Sequence, residues 1–115
     1  MRHVVPGHDN LPVSETVFLI LSSLAAEPRH GYAILQDVSS LTAGRVRLST
    51  GTLYGALRRL LEEGSIQRFK EAHPSRDRQA YELTTGGRQV VAAEVDRMRH
   101  LVAIASKRLV QQEAS

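Results

Sequence analysis

From Ser14 onward the apolar residues recur at helical spacing. Val17, Ile20, Leu21 and Leu24 fall on one face of a first helix, and Ser14 is a suitable N-cap for it. That helix is expected to stop before Glu27-Pro28, because proline disfavours helical geometry in the residue ahead of it. His30-Gly31 punctuates a tight turn. Tyr32, Ile34, Leu35, Val38 and Leu41 then mark a second helix that stops near Gly44, and Arg45-Val46-Arg47-Leu48 reads as a short extended link. A third helix, capped by Ser49 or Thr50, places Leu53, Leu57, Leu60 and Leu61 on one apolar side and ends at Gly64.

After Gly64 the period changes from helical to alternating. Residues 66–71, with Ile66 and Phe69 apolar, predict a strand, residues 72–78 a polar loop, and Gln79 to Leu83 a returning strand with Tyr81 and Leu83 inward. A fourth helix is predicted from about Thr85 to about Val110, with Thr84 as its N-cap. Its apolar positions Val91, Val95, Met98, Val102, Ala105 and Leu109 alternate in steps of four and three, a heptad seam broadened by Leu101 and Ile104.

Three helices, a two-stranded hairpin and a long helix predict a mainly α (α+β) fold. We read it as a winged helix-turn-helix over residues 13–83, with a lead-in at 1–12 broken by Pro6-Gly7 and Pro12. Residues 84–115 form a C-terminal dimerisation helix and tail. At about 1.5 Å per residue that helix spans roughly 40 Å, longer than the small domain before it can cover. Val91, Val95, Met98, Leu101, Val102, Ala105 and Leu109 are therefore expected to meet a second copy of the chain.

Composition narrows the chemistry. The chain of 115 residues has room for one domain and contains no cysteine, which excludes disulfides and thiolate sites. Its N-terminus lacks the apolar core of a signal peptide, and no apolar run approaches the roughly 18 residues of a membrane span. A cytoplasmic protein with no membrane partner is expected. The net charge of +3 is unevenly spread: residues 1–44 carry two arginines against four acids, whereas residues 45–78 carry eight Lys/Arg against four. The basic surplus surrounds the third helix and the hairpin, as suits a binder of phosphate backbones.

The third helix joins an apolar side to a side fit for DNA. Thr50 and Thr52 offer hydroxyls beside the unpaired amides of the first turn, and Gly51 lets a backbone approach closely. Tyr54 and Arg58, one turn apart, face phosphates or base edges. For Tyr54 a second use is open, packing of its ring against a neighbouring helix, and one residue can serve both. Arg68, Lys70, Arg76 and Arg78 would line the wing and grip the backbone or the adjacent minor groove; the bland alternative is a solvated basic loop. His3, His8, His30, His73 and His100 show no close metal-ligand spacing, and no nucleophile elbow or phosphate-cradling glycine loop occurs. No metal, no cofactor and no catalysis are expected.

The chain resembles the PadR family of bacterial transcriptional regulators. The resemblance is carried by Leu24 to Pro28 with His30-Gly31-Tyr32-Ala33-Ile34, by Gly51-Thr52-Leu53-Tyr54 with Leu57-Arg58-Arg59-Leu60, and by Glu62-Glu63-Gly64-Ser65-Ile66. It continues through Arg76 to Tyr81 and Leu83-Thr84-Thr85-Gly86-Gly87, and covers about residues 14–110. It implies a winged helix-turn-helix of the smaller subgroup, with a single dimerisation helix, acting usually as a repressor. Some small members bind planar aromatic drugs between their subunits through a tryptophan, which this chain lacks. The expected partners are double-stranded DNA with a palindromic operator, a second copy of the chain, and a small-molecule or other releasing signal. The competing readings are a winged-helix protein-interaction module without specific DNA binding, and a small-molecule sensor whose dimer cavity is its main site.

Overall fold

The computed structural model describes residues 13–70 and 79–114. Helix α1 (Glu15–Ala26) starts where Ser14 Oγ accepts the Val17 amide at 3.2 Å, and Glu15 places a negative charge at the positive end of the helix dipole. It ends at Glu27, whose extended backbone leads into Pro28. Ile20, Leu21 and Leu24 are buried, each apolar side chain contributing about 1.5–3 kcal/mol to folding. Helix α2 (Gly31–Leu41) buries Ile34 and Val38 but leaves Tyr32 and Leu41 in solvent, so only part of its apolar series faces the core. The chain then turns through Ala43 and Gly44, both at positive φ, and runs without regular secondary structure to Ser49.

Helix α3 (Thr50–Glu63) packs Leu53, Leu57 and Leu60 inward. Ser49 caps it by accepting the Thr52 amide at 3.0 Å. Gly64, at φ 80°, closes it in the left-handed conformation that glycine adopts without steric cost. Strands β2 (Ile66–Phe69) and β3 (Ala80–Leu83) then pair antiparallel, Ile66 opposite Leu83 and Phe69 opposite Ala80. Of the last two residues of the expected first strand, Lys70 follows the strand, and Glu71 lies, with residues 72–78, outside the described residues.

A third strand was not anticipated. Arg29–His30 forms β1, which pairs antiparallel with β3 (Arg29 opposite Tyr81, His30 opposite Ala80) and gives the sheet order β1-β3-β2. What reads as a tight turn at His30-Gly31 is thus a strand that runs straight into α2. Arg29 anchors it: Nε donates to the Ser23 carbonyl at 3.1 Å, and the guanidinium meets Glu27 at 3.3 Å and Asp37 at 3.6 Å. β3, flanked on both sides, becomes the most buried strand, with Ala80, Tyr81 and Leu83 all in the core.

Helix α4 (Thr85–Ala114) leaves β3 without a loop. Thr84 Oγ1 accepts the Gly87 amide at 3.0 Å and donates to the Gly64 carbonyl at 2.6 Å, while the Thr84 amide donates to the Ser65 carbonyl at 3.1 Å. The cap of α4 is therefore also a clasp on the end of α3. Val90 and Val91 pack against the domain core, Val95 and Met98 are half-buried, and the Glu94 carboxylate is held by Arg97 and the Val13 amide. From residue 99 through Glu113 every side chain is exposed, including Leu101, Val102, Ala105 and Leu109. The heptad seam divides in two: its first half touches its own domain, and its second half projects as an uncovered apolar stripe.

Candidate nucleic-acid interface

The inward leucines of α3 fix its opposite face toward solvent. Thr50, Gly51, Thr52, Tyr54 and Arg58 are all exposed there. Ser49 both accepts the Thr52 amide and donates to the Thr52 hydroxyl at 2.9 Å, which leaves the Thr52 hydroxyl hydrogen free to donate outward. Gly51 and Gly55 sit one turn apart on this face, and a methyl group at either would meet nothing within 4 Å. The domain's own packing thus requires neither glycine, although glycine inside a helix costs about 1 kcal/mol relative to alanine. The bare backbone they leave admits a close approach from outside.

Tyr54 has a second attachment. A Cβ at Gly31 would lie 2.2 Å from the Tyr54 hydroxyl oxygen and 2.8 Å from Cζ, so the tyrosine tip rests on the bare α2 backbone. With 42% of its surface open, Tyr54 packs on one side and faces solvent on the other. Tyr81 and Arg68, paired across β3 and β2, complete the neighbourhood. Burial pushes the Tyr81 hydroxyl above the ordinary tyrosine range, Tyr54 adds to that rise, and Arg68 opposes it. Helix α3 and the start of α2 are therefore joined through the seating of Tyr54 on Gly31. Packing of Tyr54 against a neighbouring helix was one of the two uses open from the sequence; Gly31 as its partner was not legible there.

The cations sort into two sets. Arg29, Arg45 and Arg97 pair with carboxylates, Arg45 bridging the α2–α3 link to Glu15 at the start of α1. Arg58 and Arg59 on α3, Arg68 on β2 and Lys70 just beyond it are exposed and have no ion-pair partner among the described residues, and the same holds for Arg47 on the α2–α3 link and for Arg88, Arg99, Lys107 and Arg108 on α4. Arg76 and Arg78, the other two wing cations expected from the sequence, lie outside the described residues. Among the described residues no group of His, Asp and Glu is placed to hold a metal ion, and no helix is long and apolar enough to cross a membrane.

Three helices, a three-stranded sheet with a wing, and a long trailing helix define a winged helix-turn-helix. Residues 20–93 match the transcriptional regulator PadR-like family, and the chain belongs to that family. Among solved structures, a PadR family transcription regulator from Clostridium difficile is similar with a TM-score of 0.69 and 23% identity, over 84% of this chain and 99% of that one. A transcriptional regulator from Clostridium thermocellum is similar with a TM-score of 0.68 and 23% identity, over 79% and 89%. A curated relative, an uncharacterized 37.1 kDa protein in a transposon of Streptomyces fradiae, is 31% identical over 89% of this chain. The chain spans only 28% of that relative's length.

Proposed function

We propose that the chain is a homodimeric, sequence-specific DNA-binding repressor, with α3 entering the major groove and the β2–β3 wing resting on the backbone. The outward face of α3 carries this reading. Its inward leucines leave Thr50, Thr52, Tyr54, Arg58 and Arg59 exposed, no described carboxylate neutralises Arg58, Arg59, Arg68 or Lys70, and no intramolecular contact requires Gly51 or Gly55 beside them. Phosphate contacts made by these groups would set position, and arginine paired bidentately with guanine would contribute about 1–3 kcal/mol of discrimination.

The domain boundary falls at residue 84, and the uncovered stripe of α4 joins two copies. A two-fold dimer presents two α3 helices to one DNA face, with half-sites about 34 Å apart and a palindromic operator. Release would follow when a small molecule or another signal changes the geometry of the pair. This activity is that of a cytoplasmic protein.

Selection of a random duplex library on the purified full chain, followed by sequencing of the retained DNA, tests the reading. Enrichment of a palindrome is expected. A folded, dimeric protein that enriches nothing would overturn it in favour of a protein-interaction module.

A further inference from the structure

The glycines divide by what holds them in place. Gly44 and Gly64 lie at positive φ, a Cβ at Gly31 or Gly87 would strike a neighbour, and one at Gly86 would make ordinary contacts. Among the described glycines, only Gly51 and Gly55 join an ordinary backbone to open space, and both lie on the outward side of α3. The two differ in chemistry. Gly51 belongs to the first turn, where backbone amides have no partner within the helix, so its surface is polar. Gly55 lies one turn further on, where the amide is taken up by the helix ladder, and what it turns outward is a bare methylene. Its neighbours on the helix surface, three and four residues away, are Gly51, Thr52, Arg58 and Arg59, all exposed. Arg58 and Arg59 meet no carboxylate among the described residues, and the Thr52 hydroxyl, which accepts from Ser49 Oγ, keeps a hydrogen to donate. The result is a notch with an apolar floor, room for a methyl group, and hydrogen-bond donors around its rim.

Unmodified DNA offers one apolar group in the major groove, the 5-methyl of thymine, and beside it stands an acceptor, thymine O4. Cytosine turns an amino donor toward the groove instead, which would face the donors of Thr52, Arg58 and Arg59 unpaired, and methylation of the cytosine leaves that mismatch in place. We propose that Gly55 is a specificity-determining residue, seating the 5-methyl of one thymine in each half-site while Thr52 or an arginine of the rim donates to O4. This inference rests on the DNA-binding reading of α3 and assigns a base where that reading assigns only contact.

The test moves the methyl from DNA to protein. A random duplex library is selected on the parent full chain, and each thymine of the enriched duplex is replaced in turn by uracil, which lacks only the 5-methyl. Binding of these fluorescein-labelled duplexes to the parent and to Gly55→Ala is followed by anisotropy, with thermal unfolding to verify that both proteins are folded. The parent is expected to bind roughly 3- to 5-fold more weakly when one particular thymine of each half-site is replaced, the change that suits burial of one methyl. Gly55→Ala, whose own methyl fills the notch, is expected to lose or reverse that preference at the same position. If no uracil replacement weakens the parent, or if Gly55→Ala keeps the parental preference at every sensitive thymine, Gly55 seats no methyl and the reading of α3 stands. A folded, dimeric parent that enriches no sequence overturns both.

Discussion

Two adjacent glycines at the start of α4 are expected to respond to alanine with opposite signs. Both lie in the first turn of a helix, where alanine is favoured over glycine by up to about 1 kcal/mol. A Cβ at Gly86 would meet Thr84 Oγ1 at 3.6 Å and the Gly64 carbonyl oxygen at 3.7 Å, ordinary contacts, so Gly86→Ala is expected to hold or raise stability. A Cβ at Gly87 would lie 2.0 Å from the Ser65 carbonyl oxygen and 3.0 Å from a Leu83 methyl. Restoring a contact of 3.4 Å moves that oxygen by about 1.4 Å, and the atom belongs to the backbone. The same oxygen accepts the Thr84 amide at 3.1 Å, so the move also weakens the clasp between α3 and α4. Overpacking costs about 1–3 kcal/mol and the strained hydrogen bond about 1, against a propensity gain of about 1. The net loss is about 1–3 kcal/mol. In urea, with a slope of about 1–3 kcal/mol/M, the midpoint for Gly87→Ala should fall by about 1 M at fixed protein concentration. A Gly87→Ala midpoint at or above the parent's, or a Gly86→Ala loss of equal size, would refute the reasoning.

Further expectations concern the DNA face, the seam and the buried carboxylate. Gly55→Ala should raise stability by up to about 1 kcal/mol yet weaken duplex binding, since the added methyl meets nothing in the domain; unchanged binding would remove close approach as the reason for glycine there. Gly31→Ala should cost about 1–3 kcal/mol in the parent but much less beside Tyr54→Ala, and additive losses in a double-mutant cycle would show the two residues uncoupled. Leu109→Glu, at an exposed seam position, should leave the domain folded but shift sedimentation toward the monomer; an unchanged profile would place the interface elsewhere. Arg97, by hydrogen bonding, holds the Glu94 carboxyl below its usual 4.5 against the opposing effect of burial. A depressed carboxyl pKa adds stability above the unfolded value and loses it on acidification. The parent should therefore exceed Glu94→Gln near neutrality, with the gap closing below about pH 4 in acid unfolding curves; a gap independent of pH would assign Glu94 a purely steric role.

How much could be read from the sequence depended on how local the cause was. α1 and α3 were legible because their leucines repeat at helical spacing and because Ser14, Ser49 and Gly64 are strong end signals. The existence of α4 followed from its seam, and the helix continues four residues beyond the expected end, to Ala114. β1 was not legible: two residues carry no period, and their strand character comes from pairing with residues fifty positions later and from the Arg29 anchor. The exposure of Tyr32 and Leu41 was not legible for a related reason. Both mark α2 by their spacing, but near its two ends no element covers them, so both remain in solvent. Within the site, the exposure of Thr50 to Arg58 followed from the leucines behind them, whereas the seating of Tyr54 on Gly31 depends on the angle at which two helices meet.

The clasp at Thr84 has a mechanical consequence. Two hydrogen bonds and a backbone-to-backbone contact, with no loop between β3 and α4, leave almost no slack between the end of α3 and the start of α4. A rod of thirty residues, roughly 45 Å long, is thus fastened at its root to the element that faces outward from the domain. Tilting such a rod by about 5° displaces its far end by about 4 Å, and the converse holds: a small displacement imposed at the tip turns the whole domain rather than bending a hinge. In the proposed dimer, the spacing of the two tips would be carried to the opposite end of the molecule as rotation, in the manner of a pair of tongs.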